Sequence, residues 1–313
     1  MTLKRFLNVI TFFMIMSEKG EKSRFEEWYN KYYKLVFIIP IALLVLSIVY
    51  LASFYAKTGD IFNKDVTLTG GTTITVHTDQ KIDVQDITEK LSKKIEEPSI
   101  RILTDIRTGK QVSFSVETKT ESPAVKAALE EYLGYSLTEE NSSIEFTGSN
   151  LSKSFYSELM MAMVLAFLLM AVVIFVIFRS PMPCFYVILC AATDIIVPMA
   201  IVNLVGIKIS TAGIAAFLML IGYSVDTDIL LTTRVLKRRD DPLFKRITGA
   251  MKTGLTMSLT SLFAVFVAYF IAIPPVLKQV FIILTIGLCI DIIATWLGNA
   301  SLLKWYCDKK NIV

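Results

Sequence analysis

Ile221-Gly-Tyr-Ser-Val-Asp-Thr-Asp-Ile-Leu-Leu-Thr-Thr-Arg234 holds two aspartates in a stretch that the apolar run 212–221 extends to membrane-spanning length. A basic cluster from Arg234 to Arg239 follows it. A carboxylate at bilayer depth costs roughly 2.5–3.5 kcal/mol on insertion scales, so a chain seldom keeps two without a use for them. Asp226 and Asp228 therefore set both the fold question and the function question. On a helix they lie about 200° apart and cannot point the same way. Asp226, Leu230 and Thr233 share one face, and Ser224, Asp228 and Leu231 another. One aspartate is expected to face the bundle interior, and the other a different helix or a partner subunit.

The rest of the chain supports a membrane setting. Hydrophobic residues make up 54% of it and the mean hydropathy is +0.57, too apolar for a water-soluble protein of 313 residues. Six runs approach the roughly 20 residues that cross about 30 Å of hydrocarbon: Lys34–Tyr55, Ser157–Phe178, Cys184–Val205, Ser210–Thr232, Gly254–Ile273 and Val276–Leu297. The expected order is an N-terminal arm (1–33), a first span (34–55), a polar domain (56–156), a five-helix bundle (157–303) and a C-terminal tail (304–313). Lysine and arginine set orientation. They gather in the arm (Lys19, Lys22, Arg24, Lys31, Lys34), after the second and fourth spans (Arg179; Arg234, Lys237, Arg238, Arg239, Lys245, Arg246, Lys252) and at the C-terminus (Lys304, Lys309, Lys310). Opposite them lie short loops with Lys208 and Lys278, and the polar domain. Both termini are thus expected in the cytoplasm of a multi-pass cell-membrane protein, with the polar domain extracytoplasmic. The Arg234–Lys252 loop reads first as a topology and lipid-headgroup signal, and only second as a partner site. Residues Phe6 to Met16 are too short and lack the cleavage site of a signal peptide, so an interfacial helix is expected there.

The polar domain alternates strand and helix signals. Val66–Val76 is β-branched and reads as a strand broken by Gly70-Gly71, which marks a bulge or a close backbone approach. Asp83–Glu96 has apolar residues at helical spacing behind an Asp83 N-cap. Ile100–Ile106 and Gln111–Val116 read as a hairpin about Arg107-Thr-Gly-Lys110. Ser122-Pro123 opens a helix with Val125, Ala128, Leu129 and Leu133 on one face, and Ser143–Phe146 is a last strand. The order βαββαβ is that of a ferredoxin-like α+β module.

Further carboxyls sit at depth: Asp194 in Cys190-Ala-Ala-Thr-Asp194 of the third span, and Asp291 of the sixth. No lysine or arginine lies mid-span in these helices. A buried carboxyl without a countercharge can take up and release a proton, as a relay in a pump or transporter must. Asp194, Asp226, Asp228 and Asp291 are the relay candidates. Thr253, Thr256 and Thr260 form a polar stripe on the fifth span, either supporting that relay or simply hydrogen-bonding between helices at around 0.6 kcal/mol each. The four cysteines lie in or beside apolar segments with no CxxC pair, and His77 stands alone. No disulfide scaffold, no metal site, no phosphate-cradling loop and no cofactor are expected. The net charge of +4 does not by itself point to nucleic acid.

Taken in order, these residues resemble the SecF family of protein-export membrane proteins in its archaeal form. The resemblance rests on Leu68-Thr-Gly-Gly-Thr72 after the first span, similar to the family's glycine-pair motif (Gly70, Gly71). It rests also on Gly222-Tyr-Ser224 with Arg234 in the fourth span, and on the threonine-rich fifth span. It implies a polytopic α-helical protein with six transmembrane helices, half of an RND-type transporter architecture, with a ferredoxin-like extracytoplasmic domain. It implies a SecD-like partner subunit, a place beside a SecY-type protein-conducting channel, a translocating polypeptide as cargo, and an ion gradient as the driving force. One departure matters. The bacterial pattern Gly-Tyr-Ser-x-Asn-Asp puts its aspartate at Thr227 and its asparagine at Asp226, while its later Asp-Arg pair is Thr233-Arg234 here. The acidic position is shifted by about 100° around the helix. Two rivals remain: an RND-type small-molecule exporter subunit, which usually needs a second six-span half, and an intramembrane aspartyl protease. The protease signatures are absent from the residues around Asp194 and Asp228, so no enzymatic activity is expected.

Overall fold

A computed structural model describes residues 22–78, 80–96, 98–104, 110–237 and 241–311. The expected interfacial helix, the tip of the Arg107–Lys110 turn and part of the basic loop after the fourth span lie outside them.

Six helices among the described residues are long and apolar enough to cross a membrane: Tyr29–Thr58, Leu151–Phe178, Pro181–Leu204, Thr211–Leu236, Leu243–Ile271 and Pro275–Lys310. The first is built from α1 (Lys22–Val36) and α2 (Ile38–Thr58). The others are α6 (Ser149–Phe178), α7 (Pro181–Leu204), α8 (Thr211–Leu236), α9 (Leu243–Ile271) and α10 (Pro275–Ile293). A π-helical segment, Ala294–Asn299, carries α10 without a break into α11 (Ala300–Lys310). Chain chemistry fixes the starts: proline at the first turn of α7 and α10, where no N–H is needed, and Ser210 capping α8 through Gly213 N. Two-thirds of the apolar stretch of α7 and half of those of α8 and α10 are buried. These three form the centre of the bundle, around Val187, Ile214, Phe217, Leu220 and Ile283, with Ile174 of α6 packed onto them. By contrast, few residues of α6 and α9 are fully buried, and one side of each helix faces lipid or a partner.

Between the first two spans lies the α+β domain. It comprises α3 (Val66–Thr69), β1 (Gly71–His77), α4 (Val84–Leu91), β2 (Ser99–Thr104), β3 (Gln111–Thr118), α5 (Ser122–Leu133) and β4 (Ser142–Thr147). The sheet is antiparallel throughout, in the order β2-β3-β1-β4, which is the ferredoxin-like arrangement. Alternation puts Ile74 and Val76 of β1 on one face with Phe114 and Val116 of β3, under Ile87 and Leu91 of α4 and Val125 and Leu129 of α5. Asp83 caps α4 through Gln85 N at 2.9 Å. Ser113, Ser115 and Glu117 occupy the opposite face of β3 and are also buried.

The glycine pair departs from the expected strand. Val66–Thr69 is a turn of helix capped by Asp65, and the strand begins only at Gly71. Gly70 and Gly71 have φ of 87° and 145°, and a Cβ on Gly70 would stand 2.5 Å from Ser149 Cα at the head of α6. A Cβ on Gly71 would strike the Thr118 carbonyl at the end of β3. Only glycine lets the exit from the first span, the entry to the second and the sheet meet at one point. The segment before the pair is stitched to the α7–α8 connection: Ile209 N donates to Asn63 O (2.7 Å), Asp65 N to Ile209 O (3.0 Å), and Asn63 N to Asn203 Oδ1 (2.9 Å). The domain therefore stands on the bundle through a backbone-bonded base.

Candidate functional site

Three helices bring carboxyls together inside the bundle. Cys190 and Asp194, one turn apart on α7, share a face. Ser224, Thr227 and Asp228 come from α8. Asp291, Thr295 and Asn299 follow at four-residue spacing along α10 and the π segment. Such π-helical segments are frequent at functional sites, where they re-aim side chains. Asp194, Asp228 and Asp291 are 1%, 0% and 2% exposed.

Hydroxyl, amide and thiol groups link them. Ser224 Oγ donates to Asp194 Oδ2 in a short hydrogen bond. Asn299 Nδ2 donates to Asp228 Oδ1 at 2.8 Å. Thr295 Oγ1 lies 3.2 Å from Asp228 Oδ1 and 3.3 Å from Asp291 Oδ1, so its one proton can serve either carboxylate. Thr227 Oγ1 is 3.5 Å from Asp291 Oδ2, at the limit of a hydrogen bond, and bonds Ser224 O at 3.1 Å. The Cys190 thiol sits 3.9 Å from Asp194 Oδ2 and 3.7 Å from Thr295 Oγ1. No ion pair among the described residues reaches these carboxyls. Asp194 Oδ1 and Asp228 Oδ2 are buried with no hydrogen-bond partner. A cluster of this kind cannot hold three negative charges in a dry interior, because each uncompensated charge costs several kcal/mol. Protons or cations would relieve that cost, and the Cys190 thiol and Thr295 hydroxyl lie between the carboxyls.

Of the four relay candidates, Asp194, Asp228 and Asp291 meet, and Asp226 does not. Asp226 is exposed on the face of α8 that also carries Gly222 and Tyr223, the latter 48% exposed. The 200° separation thus divides the two aspartates between interior and exterior. Ser224 and Thr227 join the cluster. Thr256 and Thr260 do not: they lie on the open side of α9 and bond the carbonyls of their own helix, Lys252 O at 2.8 Å and Thr256 O at 2.9 Å. A threonine hydroxyl reaches the carbonyl one turn back more readily than a neighbouring helix. Arg234 is likewise remote, its Nη1 tying α8 to α9 through Gly249 O at 2.7 Å. Cys190, Thr295 and Asn299 were not among the expected site residues. Their signal is the four-residue steps Cys190–Asp194, Asp291–Thr295 and Thr295–Asn299, which keep them on the same sides of their helices.

Comparison with known proteins gives this geometry a family. Residues 125–309, more than half of the chain, match the model described as protein export membrane protein SecD/SecF, C-terminal. The protein-export membrane protein SecF of Methanocaldococcus jannaschii is 39% identical over 283 residues, covering 88% of this chain and 96% of the relative. That of Methanothermobacter thermautotrophicus is 37% identical, covering 90% and 95%. Among solved structures, SecDF of Thermus thermophilus, a translocon-associated membrane protein, superposes with a TM-score of 0.70 at 20% identity. That match covers 90% of this chain and 38% of the SecDF chain, and at such identity the likeness is one of fold. The chain belongs to the SecD/SecF family of protein-export membrane proteins.

Proposed function

We propose that the chain works as the SecF-type subunit of a Sec export machinery, assisting late polypeptide translocation together with a SecD-like subunit beside a SecY-type channel. Family membership supports the export role, and the curated relatives match along nearly their whole length. The observation that carries the mechanism is the buried cluster of Asp194, Asp228 and Asp291, joined by Ser224, Thr295 and Asn299 across three helices. Ion entry and exit there change the charge of the bundle's centre, and with it the preferred packing of α7, α8 and α10. Those helices hold the α7–α8 connection on which the α+β domain stands, so a shift in them reaches the domain. The work is mechanical and no bond of the cargo is broken, which makes this a non-enzymatic subunit.

Orientation in this reading follows the lysines and arginines: both termini cytoplasmic, the α+β domain extracytoplasmic, and the basic loop after α8 on the cytoplasmic side. Asp226 has a separate role. An exposed carboxylate at membrane depth needs a cover, and the same face of α8 exposes Tyr223 and leaves open space at Gly222. A membrane helix of the SecD-like partner lies there. Purification of the chain from its own membranes tests the assignment: a SecD-like subunit should co-purify, and Asp226→Leu should reduce its recovery. Recovery of a homo-oligomer alone would overturn it.

A further inference from the structure

The thiol of Cys190 brings a soft donor into a cluster of carboxyls and hydroxyls. Cys190, Asp194 and Asp228 each offer one donor atom, and these atoms all lie within 4.8 Å of one another. All three side chains are buried. Three oxygens of this group, Asp194 Oδ1, Asp228 Oδ2 and Asn299 Oδ1, are buried with no hydrogen-bond partner. A cavity of about 20 Å³ adjoins the group, lined by Cys190, Thr193 and Asn299 and walled by Phe37, Pro40 and Tyr186. That is room for one water or one ion.

The donor chemistry selects among occupants. Calcium and magnesium are hard ions that take oxygen ligands alone, whereas a thiol is one of the three donors that converge here. A monovalent ion would neutralise only one of two carboxylates. A sulfur donor with two carboxylates suits a thiophilic divalent ion that accepts four ligands, with metal–sulfur and metal–oxygen distances of about 2.3 and 2.0–2.2 Å. The fourth position falls to Asn299 Oδ1 or a water in the cavity. Ligand orientation is already set by the groups behind, Ser224 on Asp194 and Asn299 on Asp228. From this geometry we infer that Cys190, Asp194 and Asp228 form a binding site for a divalent cation of the zinc group.

Binding releases to solvent any proton held by the coordinating thiol and carboxyls. The ion joins α7 to α8 and occupies two of the three relay carboxyls. Its block of ion movement rests on the export reading given above; the binding itself does not.

The test uses the full-length chain purified in detergent and titrated with cadmium as probe. It reads the ultraviolet thiolate-to-cadmium charge-transfer band and the bound ion by equilibrium dialysis. Because Cys289 is an exposed thiol, the reference protein carries Cys289→Ser. The expected result is one ion per chain in the reference, loss of the band in Cys190→Ser, and binding weakened in Asp194→Asn or Asp228→Asn by more than the roughly 10–100-fold that loss of a group behind a ligand costs. Thermal unfolding guards against a misfolded variant: cadmium should raise the midpoint of the reference and leave that of Cys190→Ser unchanged. Absence of binding, binding that survives Cys190→Ser, or binding confined to Cys289 in the unmodified chain would overturn the site. Loss of export function with cadmium binding intact would bear on the relay and not on this site.

Discussion

Glu117→Gln acts on the most perturbed carboxyl of the α+β domain. Glu117 ends β3 on the buried polar face, 5% exposed, beside Asp65 at the cap of α3. Arg101 of β2 reaches its Oε2 at 3.3 Å, and Lys208 approaches from the α7–α8 connection. Asp60, Lys64 and Lys119 line the adjoining cavity of about 240 Å³. Burial, reinforced by the charge of Asp65 and opposed by Arg101 and Lys208, pushes the carboxyl up from 4.5 to about 7. The unfolded chain ionises this group near 4.5, whereas the folded chain holds the proton until about pH 7. Within that window the unfolded state binds fewer protons, so stability falls as pH rises. A gap of about two and a half units, at about 1.36 kcal/mol each, gives about 3 kcal/mol. Glutamine cannot titrate, so wild type should lose about 3 kcal/mol relative to Glu117→Gln between pH 4.5 and pH 7. Hydrogen exchange of the β1 and β3 amides, compared between the two proteins at each pH, measures this, because intrinsic exchange rates cancel. A difference that does not vary with pH, or that grows in favour of wild type as pH rises, would refute the reasoning. Asp65→Asn should shift the window to lower pH by removing a like charge.

Other substitutions separate the roles of neighbouring residues. Gly71→Ala should destabilise the base of the domain by more than the about 1–3 kcal/mol of a strained backbone, because its Cβ also meets the Thr118 carbonyl. Gly134→Ala, at φ 75° in open space, should cost only the backbone strain; limited proteolysis of the two variants compares them. Asp228→Leu leaves the Asn299 amide without its acceptor while Thr295 keeps Asp291, a loss of about 1–3 kcal/mol in thermal or denaturant unfolding. Asp226→Leu should leave the thermal midpoint of the isolated chain within error. Arg234→Met removes the tie to Gly249 O and should lower stability without changing ion-dependent export, in contrast to Ser224→Ala.

Much of this architecture was legible in the residues. Runs of apolar length gave the six spans, and period-two and helical spacing gave the βαββαβ order, because both signals are local. Opposed faces for Asp226 and Asp228 followed from helix geometry alone. Less legible was what depends on contact between distant segments. Val66–Thr69 has strand-forming residues, yet Asp65 caps it into a helical turn, and the stitching to Ile209 holds it there. The threonines of the fifth span looked like interhelical donors, but a hydroxyl on a helix can be satisfied within its own turn, and spacing does not distinguish the two cases. Asn299 was missed because it lies beyond the expected end of the last span, where the helix continues through its π segment to Lys310. Cys190 was seen as one of four apolar-segment cysteines, and only the packing of α7 on α8 reveals its carboxylate neighbours.

The central claim is that ion movement through the Asp194–Asp228–Asp291 cluster drives export. Translocation of a secretory polypeptide into inverted membrane vesicles, with and without an imposed ion gradient, tests it most directly. The gradient-dependent increment should vanish in Asp194→Asn and in Asp228→Asn, and persist in Thr256→Ala and Thr260→Ala, whose hydroxyls lie outside the cluster. An increment of wild-type size in Asp228→Asn would contradict the account.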